Sequence, residues 1–118
     1  MIEIQFRLVL DPKAKVFVLT FGDNPMYRMV TPMGGTKKSM GRRFKLTALE
    51  TEQIVKNARK QLVDATDAMT EFVVEIQDYK MNFNGNNSRQ AFQALVEYLE
   101  QVWDSFKGSR YYAEIYPQ

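Results

Sequence analysis

The 118-residue chain contains neither cysteine nor histidine. The first absence excludes disulfides, thiolate metal sites and cysteine nucleophiles. The second removes the commonest zinc ligand and the side chain that most often serves as general base. An enzyme built from what remains would have to use carboxylates and a metal, so the expectation is a non-enzymatic protein with no cofactor and no resident metal. Long apolar runs are missing too: no window approaches the ~18 apolar residues of a membrane span. Met1-Ile-Glu-Ile-Gln alternates and lacks the apolar centre of a signal peptide. The expected protein is cytoplasmic and has no membrane partner.

A third absence is local. No acidic residue lies between Asn24 and Leu49, a stretch that holds Arg28, Lys37, Lys38, Arg42, Arg43 and Lys45. Residues 1–23 balance three basic against three acidic groups, while residues 50–118 hold seven basic and eleven acidic. The net charge of +2 and the pI of 8.9 conceal this polarity. One surface suited to an anionic partner is expected, and another that repels it.

The length predicts one domain over residues 1–118, and a hydrophobic content of 45% is ordinary for a globular fold. Ile2, Ile4, Phe6, Leu8 and Leu10 alternate with Glu3, Gln5, Arg7 and Val9, the period of a half-buried strand. Asp11-Pro-Lys-Ala14 reads as a turn, and Lys15–Phe21 as a second strand completing a hairpin. Tyr27–Val30 and Phe44–Leu46 are expected to dock as short strands around a basic flexible loop at about 31–43. Thr47-Ala-Leu-Glu50 is a capping box opening a helix that buries Ile54, Val55, Ala58, Leu62, Ala65 and Met69. Phe72, Val74 and Ile76 mark another strand, and Asn82–Asn87 a turn, with Ser88 as the next N-cap. A strongly amphipathic helix through Phe106 ends at Lys107-Gly108, with the glycine free to take the left-handed conformation. Arg110–Tyr116 reads as a last strand.

The order is therefore β-β-(β)-α-β-α-β. It predicts a two-layer α+β fold with a four- to five-stranded mixed sheet and two helices on one face. Glu3, Gln5, Arg7, Val16, Val18, Val73, Gln77, Tyr79, Tyr112 and Tyr116 are assigned to the open face.

Three kinds of chemistry can be weighed against this frame. Lys38-Ser39 resembles the end of a phosphate-binding P-loop, but Lys37 and Pro32 stand where glycines are required. Asp78-Tyr-Lys80 could place a carboxylate and a lysine beside a phosphate, with Asp67 or Glu71 as a second metal ligand. That metal-dependent nuclease is the least unlikely activity. Nucleic-acid binding without catalysis has the firmest basis, because basic side chains release counterions from any phosphate backbone. Arg28, Lys37, Lys38, Arg42, Arg43 and Lys45 are the candidate phosphate contacts. Tyr27 and Phe44 are candidates for stacking on bases, as are Tyr79, Tyr112 and Tyr116 on the open face. The expected function is a small accessory protein binding single-stranded or structured nucleic acid. The alternative is a protein-binding adaptor, an inhibitor or a homo-oligomeric subunit. It would use the same methionine-punctuated segment or the open sheet face.

Overall fold

A computed structural model of the chain describes residues 6–21, 27–30, 36–38, 42–84 and 87–116, with backbone alone at 27–30, 36–38 and 42. The first strands are β1 (Phe6–Asp11), β2 (Val16–Phe21), β3 (Tyr27–Val30), β4 (Thr36–Lys38) and β5 (Arg42–Leu46). They are followed by α1 (Ala48–Asp64), β6 (Glu71–Ile76), β7 (Tyr79–Asn84), α2 (Ser88–Lys107) and α3 (Arg110–Ile115). The α+β class is as expected. The single mixed sheet is not: the strands form two antiparallel sheets, ordered β1-β2-β5 and β4-β3-β7-β6.

One long excursion of the chain builds parts of both sheets. Its outgoing segment supplies β2 and β3, each an interior strand, and its returning segment supplies β4 and β5. Six residues separate Phe21 from Arg28 going out, and three separate Lys38 from Arg42 coming back. The two ladders therefore do not share one continuous register. Thr36–Lys38 and Arg42–Arg43 are strand, within the span expected to be a flexible loop; residues 31–35 and 39–41 lie outside the described residues.

Local chemistry fixes the turns and caps. The Asp11 carboxylate accepts from the backbone of Lys13 at 3.1 Å and Ala14 at 3.2 Å, closing the β1–β2 turn. Thr47 and Glu50 form the reciprocal capping box, both bonds at 3.0 Å. Ser88 is not the N-cap of α2. Asn87 holds that position, and Ser88 is buried inside the first turn, its hydroxyl donating to the Thr70 carbonyl at 2.6 Å.

Both helices pack on the same side of the two sheets: α1 against β2, β5 and β6, and α2 against β1, β6 and β7. The two ends of α2 serve different sheets. Phe92 stacks on Phe72 at 4.9 Å and meets Phe83 at 5.7 Å, while Phe106 lies 4.9 Å from Phe17. Phe17, Phe21, Phe72, Phe83 and Phe92 are fully buried, each burial contributing roughly 2–3 kcal/mol before entropy is counted.

Four further expectations are corrected. Arg110–Ile115 is a helix, because Tyr112 and Tyr116 at i,i+4 spacing pair at 5.1 Å and Tyr112 packs on Phe106 at 5.5 Å. Tyr79–Asn84 is a strand, although Asn82 and Asn84 favour turns; Met81 and Phe83 alternate into the core and leave the asparagines outside. Gly108 caps α2 at φ −85°, not in the left-handed region. Met69, expected in the core, follows α1 and is 38% exposed.

Candidate nucleic-acid interface

Neighbouring strand residues point to opposite faces, so register decides which of the basic residues act together. In the three-stranded sheet, Leu8, Leu19 and Phe44 form one cross-strand row and are buried under the helices. The alternate rows face away from the helices. One is Arg7–Thr20–Arg43 and the next is Val9–Val18–Lys45. Arg7, Arg43 and Lys45 are exposed and take part in none of the ion pairs among the described residues. Arg7 and Arg43 are two strand spacings apart, roughly 10 Å between backbones. With Val9, Leu10, Asp11, Pro12, Val18 and Thr20 they line a shallow cleft of about 670 Å³.

The four-stranded sheet sorts its cations likewise. Arg28 is opposite Lys38 on β4 and Asn82 on β7, and Asn82 is opposite Val73 on β6. The next row on that face runs Thr36–Val30–Lys80–Glu75. Lys80 and Glu75 are exposed, whereas Met81, Phe83, Phe72 and Val74 on the opposite face are buried. Positions 28, 38 and 80 therefore belong to the face turned away from the core.

The expected site divides along these rows. Arg43 and Lys45 share a face, as do Arg28 and Lys38. Lys37 is opposite Met29, and Arg42 is opposite Phe21, so both occupy the other face of their strands. Phe44 is a core residue at 2% exposure, packed edge-on against Tyr79 at 5.4 Å and Phe21 at 6.3 Å; it is not placed to stack on a base. Tyr27 is opposite the buried Phe83. Tyr79 packs against the core, and Tyr112 and Tyr116 belong to the α3 region. Burial raises the pKa of the Tyr116 phenol, whose hydroxyl has no hydrogen-bond partner among the described residues. Of the residues assigned to the open face, Arg7, Val16, Val18 and Val73 lie there, whereas Gln77 sits in the β6–β7 turn and Glu3 and Gln5 lie outside the described residues.

Two cations outside the basic run join these faces. Arg7 is reached through its pairing with Thr20, and Lys80 through its pairing with Val30. The alternation of β1 already assigns Arg7 to the polar face; its nearness to Arg43 depends on pairing across the sheet.

The carboxylates needed for metal chemistry are spread apart. Asp78 lies in the two-residue turn joining β6 to β7, and Glu71 begins β6 at the far end, roughly 17 Å away along the strand. Lys80 is opposite Glu75. Among the described residues no group of three or more Asp or Glu side chains could hold a metal ion. No described helix is long and apolar enough to cross a membrane.

Comparison with known proteins identifies no relative: no family model, no curated protein and no solved structure matches the chain.

Proposed function

We propose that the protein is a non-enzymatic accessory protein that binds nucleic acid through the sheet faces turned away from its helices. The observation that carries this reading is the cross-strand placement of Arg7, Thr20 and Arg43, with Lys45 in the adjoining row. Separated guanidinium and ammonium groups on a rigid sheet neutralise phosphates without having to be ordered first. The positions of Arg28 and Lys38 extend the cationic surface along the second sheet.

A titration of a labelled oligonucleotide at about 50 and 200 mM salt tests this, since counterion release makes affinity fall steeply over that interval. Arg43→Ala combined with Lys45→Ala should weaken binding and flatten the salt dependence by nearly two units of logarithmic slope. Lys37→Ala and Arg42→Ala, on the opposite faces, should cost less. No binding at the lower salt rules the reading out.

One observation favours a second reading, a protein partner or a second copy of the chain. Val9 is 43% exposed on the same face, beside the half-buried Val16 and Val18. A solution mass of twice the chain mass, unchanged by salt, would support that reading over the first.

A further inference from the structure

We infer that the cationic face takes double-stranded nucleic acid, held through its phosphates, in preference to a single strand. The inference rests on the nucleic-acid reading above and names the form of ligand that the face suits.

Proteins that hold single strands combine a basic groove with aromatic side chains on which unpaired bases stack. The aromatic residues whose side chains are described are committed elsewhere. All of them belong to the core or pack against it, and Tyr27 is opposite the buried Phe83. None of the residues outside the described ones is aromatic. The outward rows offer instead arginine, lysine, threonine, asparagine and valine, with Asp11, Glu71 and Glu75 toward their margins. A surface of this kind is suited first to the backbone, its planar groups being the arginine guanidiniums, which also pair with phosphate.

The spread of the charges points the same way. Arg7 and Arg43 stand about 10 Å apart across the strands of one sheet, and in the other sheet Lys80, opposite Glu75, shares a face with positions 28 and 38. A duplex carries one charge per ~1.7 Å of axis on two strands, so it can meet a two-dimensional array of cations. A lone strand meets one line of them. For about six neutralised phosphates, the duplex and single-strand salt slopes differ by about one unit, which favours the duplex roughly tenfold near 0.1 M salt.

The experiment titrates the full chain with a labelled 20-base-pair duplex and with each of its component strands, at two salt concentrations. The expected result is duplex binding about tenfold tighter than either strand, with a steeper salt slope. Arg7→Ala, checked for folding by circular dichroism, should weaken duplex binding and lower its slope by about 0.9. Equal or tighter binding of a single strand overturns the inference and leaves the broader reading standing. Unchanged duplex affinity in Arg7→Ala also overturns it, because the face would then not be the contact. Binding to neither form removes both readings.

Discussion

At the scale of single residues, backbone conformation matters as much as side-chain identity. Gly108 ends α2 at φ −85° and ψ −1°, a conformation open to any residue. A β-carbon there would meet only the carbonyls of Asp104 at 3.7 Å and Ser105 at 3.8 Å, which is ordinary contact. Gly108→Ala should therefore stabilise the protein by about 0.4–1 kcal/mol, mainly by restricting the unfolded chain. A lower midpoint in chemical denaturation would show that the glycine is needed for another conformation. Lys15 and Gln77 are the converse: φ of 57° and 56° at residues other than glycine, each in a turn between paired strands. Gln77 also donates to the Lys45 carbonyl at 3.0 Å, tying the turn of one sheet to the edge of the other.

At the scale of elements, long polar side chains occupy strand edges that would otherwise be open to other strands. The Gln61 carboxamide donates to the Val73 carbonyl at 2.8 Å and accepts from the Val73 amide at 2.7 Å, as a neighbouring strand would. On β1 the Leu8 amide donates to the Tyr98 hydroxyl at 3.0 Å. Between the helices, Arg59 reaches Glu100 with both Nε, at 2.9 Å, and Nη2. These bonds hold the Glu100 carboxyl below its usual pKa. A lowered folded-state pKa gives stability that is complete above the unfolded value, about 4.3, and is lost as pH falls through the folded one. Glu100→Gln should thus cost about 0.5 kcal/mol near neutrality, with the difference from wild type shrinking below about pH 4. A difference as large at pH 3 as at pH 7 would contradict the pairing. Legibility in the sequence followed the same division. The capping box at Thr47, the β1–β2 hairpin and the core stripe of α2 depend on neighbours in the chain, and all were readable. The last strand was not, since Tyr111, Ala113 and Ile115 alternate like a strand until the packing of Tyr112 on Phe106 decides for a helix. Asn82 and Asn84 conceal β7 in the same way. For the site, composition located Arg43 and Lys45, but only register separates them from Arg42 and Lys37 and brings Arg7 beside them.

At the scale of the whole molecule, the helices and aromatic residues gather on one side, and cations punctuate the other. The two sheets share one core through α2, whose Phe92 packs on Phe72 and Phe83 of one sheet and whose Phe106 packs on Phe17 of the other, so neither sheet is buried independently of that helix. The β3–β7 ladder also pairs residues fifty positions apart, Val30 with Lys80. Local openings in a protein follow boundaries between independently buried units where they exist. Here the amides of β2 and β7 should exchange with solvent hydrogen through the same global event, with opening free energies within about 1 kcal/mol of each other. Two well-separated values would reveal independent units. A surface that spans both sheets would then inherit this unity, because loosening either end of the cationic face requires the other to come apart with it.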